Sequence, residues 1–427
     1  FCVLAVTACG RGNLAPSPGP AALSAPGARP ATLHVVPLHT YTIAETFIGK
    51  SGGSAGLIGD PKTGLFGIAP AGGDLKCRDG NRGCGFVYEL TQQAGTSVYK
   101  ETRIYTFHGA AGHDGAEPGA TLIIGARGTG VLYGTTVLGG AHGKGIIFRL
   151  TPTTTPYKYV ERVIYSFGAG KTDGQYPYAS LIEIHRILYG TTSESGAYGK
   201  GTAFSINVTG ASEKTLHAFG GPKDGATPYA SLIDYKGTLY GTTSTGGSSQ
   251  NCGTVFSMST SGTETVLHRF QNSPYDGCDP LGSGVVELNG ALYGTTSAGG
   301  EHNYCHCGTI YSMSTSGAER VLHSFAGGGS PVASLIAYSN VLYGTTFYGG
   351  LPSGSKCSLD PTQGCGVVFS LNPSGTPPYQ VQFPFTGTRD GGGAGPAAPL
   401  LASGGDFFGT TSRGSTLGHG EAFELTP

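Results

Sequence analysis

One five-residue phrase, Leu-Tyr-Gly-Thr-Thr, constrains this chain more than any other feature. It stands at 132–136, 188–192, 239–243, 292–296 and 342–346, with Leu65-Phe66-Gly67 before these copies and Phe407-Phe408-Gly409-Thr410-Thr411 after them. Its glycines, at 67, 134, 190, 241, 294, 344 and 409, lie 50 to 67 residues apart. A repeat of that length is the size of a propeller blade, a sheet of four short strands. The composition agrees. Glycine supplies 76 of 427 residues, more than double the usual share of about 7%. Charged residues are 12%, against about 25% in ordinary domains. An apolar share of 38% excludes disorder, and glycine without a three-residue period excludes collagen. A net charge of −1 with scattered cations removes the basis for nucleic-acid binding.

Each period divides into four β-like runs separated by Gly-Gly, Asp-Gly and Ser-Gly pairs. In the fourth period these are 228–234, 238–243, 253–258 and 264–270. The third run recurs at 85–90, 145–150, 201–206, 253–258, 308–313, 366–371 and 420–425. The fourth follows a first run only six times, at 101–107, 161–167, 213–219, 264–270, 319–325 and 379–385. The missing copy stands alone near the start, as Tyr41-Thr-Ile-Ala-Glu-Thr-Phe47. The expected fold is therefore an all-β, seven-bladed propeller of four-stranded blades over residues 41–427. The N-terminal strand at 41–47 completes the last blade and leaves no open seam.

The LYGTT, GTVFS and LHSF runs and the DGxxP turns resemble those of the GloVer tandem-repeat family, across residues 41–427. The resemblance implies a propeller and an extracytoplasmic location with one of several membrane anchors; it implies no particular activity. Ahead of the repeats, Phe1 to Ala8 is an apolar run, and Val6-Thr7-Ala8-Cys9 has the form of a bacterial lipobox. Residues 1–9 thus read as the remnant of a signal peptide, with Cys9 as the lipidated residue. The other reading is a simple secretory signal with an incidental cysteine. Residues 10–40, with prolines at 16, 18, 20, 26, 30 and 37, read as an extended tether. The chain stops at Glu424-Leu-Thr-Pro427 without a sorting segment, so Cys9 is the expected anchor.

The repeated residues read as scaffold. Glycine inside the second strand permits close approach of a neighbour. Asp114, Asp173, Asp224, Asp276 and Asp390 precede the first strands, either as turn acceptors or as a ring of cation ligands. One carboxylate per blade falls short of what calcium needs, which favours turns. His217, His268 and His323 share a fourth-strand position with Tyr105, Tyr165, Phe383 and Glu45, so packing is expected there. Two loops, 140–145 and 196–201, carry Gly-x-x-Gly-Lys-Gly. Neither has the Ser or Thr after lysine, nor the following helix, that a phosphate loop requires. No cofactor and no metal are expected.

Beyond Cys2 and Cys9, eight cysteines form an even set, which reads as disulfides in an exported chain. Cys77 with Cys84 and Cys357 with Cys365 would each staple one loop. For Cys252, Cys278, Cys305 and Cys307, a bond between the last two would be strained, so each of the first two is expected to take one of them. The rival reading is a soft-metal site of His302, Cys305, His306 and Cys307.

A catalyst has to break the repeat's symmetry. The residues just before the first-strand prolines, near the channel mouth, are Glu117, Tyr176, Thr227, Asp279, Ser330 and Gly395. Glu117 and Asp279 are the carboxylates among them, three blades apart. Two functions remain. The favoured one is a non-catalytic binding, adhesion or scaffold module, monomeric and lipid-anchored, with a protein or glycan partner at the cell surface. The alternative is a glycoside hydrolase or lyase using Glu117 and Asp279 as acid and base.

Overall fold

In a computed structural model, the chain folds into antiparallel sheets alone; among the described residues there is no helix. The structure describes residues 32–34 and 55–426, apart from 75–76, 78–82, 95–98, 110–112, 127–128, 272, 274, 302–306, 327–328, 351–356, 358–363, 376–377, 388–392 and 415–419. Seven sheets with four strands in each blade follow one another around a ring, making a seven-bladed propeller. The fourth blade is representative: Ile233–Tyr235, Thr238–Thr243, Thr254–Ser259 and Glu264–Arg269 pair in sequence order.

The last blade takes its outer strand from the N-terminal side, as closure of the ring requires. That strand is Thr32–His34, antiparallel to Ala422–Thr426, with Thr32 opposite Thr426 and His34 opposite Glu424. It falls inside the segment read as tether. The Thr-Leu-His run can pair along its whole length, because no proline falls within it. The expected closing segment, 41–47, lies outside the described residues, as do the signal remnant and Cys9. A second fastening spans the same seam: Thr410 donates from its hydroxyl to the Ala55 carbonyl at 3.2 Å, joining residues 355 apart.

Packing explains the repeated phrase. In the fourth blade, Gly241 lies opposite Phe256; a Cβ on Gly241 would stand 2.6 Å from the ring. Gly134, Gly190, Gly344 and Gly409 make the same room for Phe148, Phe204, Phe369 and Phe423, and Gly67 and Gly294 for Tyr88 and Tyr311. Six of these seven rings are then met by a phenylalanine from the blade before, edge-on in five and tilted for Phe219 against Phe256. Phe107 meets Phe148 at 5.0 Å, Phe167 meets Phe204 at 5.1 Å, and Phe270 meets Tyr311 at 5.3 Å. Aromatic edge contacts of this kind add about 0.5–1.5 kcal/mol beyond burial. The first threonine of the phrase works across the same seams. Thr135, Thr191 and Thr242 donate to the carbonyls of Ala179, Ala230 and Ser283, just ahead of the next blade's first strand.

We expect Gly241→Ala to destabilise the ring by about 1–3 kcal/mol through overpacking, with partial recovery on adding Phe256→Leu. Urea denaturation measures it, and an unchanged midpoint in the single variant would contradict this packing.

Candidate functional site at the channel mouth

The turn entering each blade and the loop between its second and third strands lie on one face. In three blades they zip together in two-residue ladders: Gly174–Gln175 with Glu194–Ser195, Gly225–Ala226 with Thr245–Gly246, and Gly277–Cys278 with Ala298–Gly299. The next residue is the one before the proline, and it takes a left-handed backbone: Glu117 (φ 54°), Tyr176 (59°), Thr227 (57°), Asp279 (56°), Ser330 (42°) and Gly395 (61°). Non-glycine residues rarely adopt that conformation unless neighbours hold them there.

The neighbours are identifiable. Each of these residues donates its backbone N–H to a carbonyl of the preceding blade: Glu117 to Cys84, Tyr176 to Lys144, Thr227 to Lys200, Asp279 to Cys252, Ser330 to Cys307 and Gly395 to Cys365, all at 2.8–3.0 Å. The accepting residue always immediately precedes the glycine that opens a third strand. It is a cysteine in four blades and a lysine in two. The lysine loops at 140–145 and 196–201 are thus the blades in which a lysine stands where others carry a disulfide.

Cys77–Cys84 and Cys357–Cys365 are bonded as expected. Cys252 is bonded to Cys278, which corrects the expected pairing with Cys305 or Cys307. The reason is geometric: the Asp279 pin draws the Cys278 turn against the Cys252 loop, leaving their Cα atoms 4.5 Å apart. Cys307 is also disulfide-bonded, which removes its thiolate from the alternative metal set. His302, Cys305 and His306 lie outside the described residues.

The structure places Glu117 and Asp279 on the same face in separate surroundings. Glu117 lies near Tyr178, whose hydroxyl is pushed up to about 12 by burial and then by Tyr229, Glu117, Glu194 and Tyr176. Tyr178 and Tyr229 meet edge-on at 5.1 Å. Asp279 is raised to about 6 by burial, opposed by a hydrogen bond from Ser297. Its side chain meets Ser297 and not Glu117. Elsewhere on this face, Arg413 lies over Phe347 at 5.0 Å.

The repeated aspartates act as turn acceptors. Asp224 accepts from His217 Nε2 at 3.0 Å and from the N–H groups of Gly220 (3.1 Å) and Gly225 (2.6 Å). Asp276 does the same with His268, Gln271 and Gly277, and Asp114 with Tyr105, His108 and Gly115. Asp390 lies outside the described residues. The histidine position read as packing is therefore also polar. His217 and His268 rest edge-on against Phe219 and Phe270 while bonding an aspartate; His323, with no aspartate in its turn, stacks on Tyr379 at 3.9 Å. A β-bulge recurs between the third and fourth strands of six blades and sets these side chains toward the turn.

A third member of these clusters went unread in the sequence. Glu161, Glu213, Glu264 and Glu319, from the next blade's outer strand, approach Asp114, Asp173, Asp224 and Asp276 respectively. Their shared place near the start of the fourth run was the available signal. The ligand atoms of His217, Asp224 and Glu264, and of His268, Asp276 and Glu319, lie within 4.8 Å of one another and could hold a cation. In other blades, however, Tyr105 and Tyr165 fill the histidine's place, so what repeats is a bond to the aspartate rather than a ligand set. Burial, reinforced by the neighbouring aspartate, raises all four glutamates from 4.5 to about 7.

A family model of the Gloeobacter/Verrucomicrobia repeat matches residues 67–307 and 160–356. The chain belongs to that family. No curated protein matches it. Among solved structures, it is similar to a catalytically inactive virginiamycin B lyase from Staphylococcus aureus with quinupristin, at 14% identity and TM-score 0.53, covering 90% of this chain and 97% of that one. The selenomethionine form of that lyase matches at 12% identity and TM-score 0.53, covering 88% and 95%. A nidogen/laminin complex matches at 13% identity and TM-score 0.39, covering 68% and 87%. At these identities the likeness extends to the fold alone.

The half-buried glutamates give this repeat protein a distinctive pH dependence. Between 4.5 and about 7 the folded ring holds protons that the unfolded chain has released. Their contribution to stability is thus fully present below the unfolded value and is lost as pH rises through the folded one. We expect a higher melting temperature at pH 5 than at pH 8, and a flatter profile for the pair Glu264→Gln and Glu319→Gln. Stability rising across that interval would contradict the assignment.

Proposed function

We propose that this propeller is an exported, non-catalytic binding module that presents its channel-mouth face to a ligand at the cell surface. The observation that carries this reading is the row of pinned residues. Five blades hold one side chain each, differing from blade to blade, and a sixth holds Gly395, all on a backbone fixed by the blade before. Such an array varies its chemistry without changing its scaffold, as a recognition surface needs. Three disulfides with both partners described support an oxidising compartment and hence export. The lipobox supports Cys9 as a membrane anchor. Nucleic acid is not among the partners proposed.

One observation favours a second reading, a carbohydrate-active enzyme. A carboxyl near 6, as at Asp279, can donate a proton close to neutral pH. Against it, the partner carboxylate such chemistry requires, Glu117, sits three blades away and does not meet Asp279. Incubating the purified protein with arrayed glycans and peptides, while following product release, separates the two. We expect retained ligand without turnover. Product formation abolished by Glu117→Gln or Asp279→Asn would overturn the binding reading.

A further inference from the structure

The repeat makes one lysine at this face different from its twin. In the second blade, the ammonium of Lys144 is capped by Tyr176, which accepts a hydrogen bond at its hydroxyl and offers its ring 4.7 Å away. One blade on, Lys200 occupies the same pinning position, but the residue in Tyr176's place is Thr227. Thr227 is too short to cap it, and its hydroxyl is engaged by Thr245. Lys200 keeps its stem against Gly220, like Lys144 against Gly168, and its head is left uncapped.

That head borders a cleft of about 610 Å³ between the third and fourth blades, which Lys223 and Arg269 also line. The size lies within the range of small-ligand sites, about 300–1,000 Å³. Among the described residues, none of these three cations is within salt-bridge distance of a carboxylate. The arginine is held by its Nε–H, which donates to the Lys223 carbonyl at 2.9 Å, leaving the terminal nitrogens of its fork for a ligand. Asp224 is the carboxylate that lines the cleft. Its oxygens are committed to His217, Gly220 and Gly225. The cleft is therefore cationic in a chain with very little charge.

Its remaining walls identify the ligand class. Ser249 and Asn251 supply hydroxyl and amide groups, while the Ser248 hydroxyl is taken up by Phe270 and Gln250; the Asn251 oxygen accepts from Gly246, so its NH₂ group remains available. At the rim, Tyr198 is 59% exposed and lies along Gly220 and Gly221, a flat apolar ring beside the cations. Cations for a negative group, donors and acceptors for hydroxyls, and an aromatic face for a pyranose ring together describe an acidic sugar. We propose that this cleft binds an acidic saccharide, with Lys200, Lys223 and Arg269 receiving its carboxylate or sulfate groups and Tyr198 its ring face. This deepens the binding-module reading and rests on it.

The test is calorimetric titration of the full chain with oligogalacturonate, with chondroitin sulfate oligosaccharides, and with a neutral malto-oligosaccharide of matched length. Chondroitin sulfate carries uronate carboxylates as well as sulfates, so binding of it without oligogalacturonate points to sulfate, and binding of both points to carboxylate. We expect at least one acidic probe to bind, to weaken as salt is raised, and to lose at least tenfold in affinity in Lys200→Ala and in Lys223→Ala. Thr227→Tyr rebuilds the cap seen on Lys144, and we expect it to weaken binding while the melting temperature holds. Equal binding of the neutral probe, or affinity indifferent to Lys200→Ala and Thr227→Tyr, would overturn the proposal. So would capture of an acidic peptide but neither acidic saccharide, an outcome that leaves the binding-module reading standing. Shortening of a bound oligosaccharide would instead overturn the binding-only reading and leave the cleft's assignment intact.

Discussion

The interaction on which the rest of this ring depends is a backbone hydrogen bond between blades. The amide just before each first-strand proline donates to the carbonyl just before a third-strand glycine in the preceding blade. A β-sheet edge left without such a partner would be open to slippage or to foreign strands. Here the fastening recurs across six seams on the mouth face, while aromatic edge contacts fill the interior of the same seams. The left-handed backbone at five non-glycine residues follows from this bond. Without a fixed acceptor those residues would relax, and the entry turns would lose their orientation.

The bond also explains how loops of different chemistry share one geometry. The accepting group is a backbone carbonyl, so the side chain there can differ from blade to blade, and in this chain it is either half of a disulfide or a lysine. Where it is cysteine, a covalent bond reinforces the loop; between Cys252 and Cys278 it bridges the seam itself. Where it is lysine, the stem packs on a glycine and the head is delivered to the mouth. Low overall charge makes those few cations conspicuous, and the acids that might have neutralised them are engaged within the seams.

Much of this fold was legible in the sequence because each blade repeats the same solution. The LYGTT glycine must face an aromatic ring, the Asp-Gly turn must cap a strand, and the count of runs yields seven blades with a strand supplied from the N-terminal side. What escaped reading depended on contacts between blades. Nothing local marks Thr32–His34 as the strand that pairs with the last blade. The β-bulge that turns Tyr105 or His268 toward an aspartate is a register effect, invisible in a linear pattern. Glu264 reads as an ordinary outer-strand residue until the neighbouring blade brings Asp224 beside it. The Cys252–Cys278 bond follows from a pin that places two loops together, not from their spacing. At the mouth, Glu117 and Asp279 were legible as exceptions to the repeat, whereas the cleft at Lys200 required knowing what caps Lys144.

Amide hydrogen exchange tests the pin most directly, because these amides lie in surface turns where exchange is ordinarily fast. The amides of Glu117, Tyr176, Thr227, Asp279 and Ser330 should be protected as strongly as those of the third strands, exchanging only when the whole ring unfolds. Exchange at the rate of unbonded loop amides, with the third strands still protected, would show that the blades are not joined in this way.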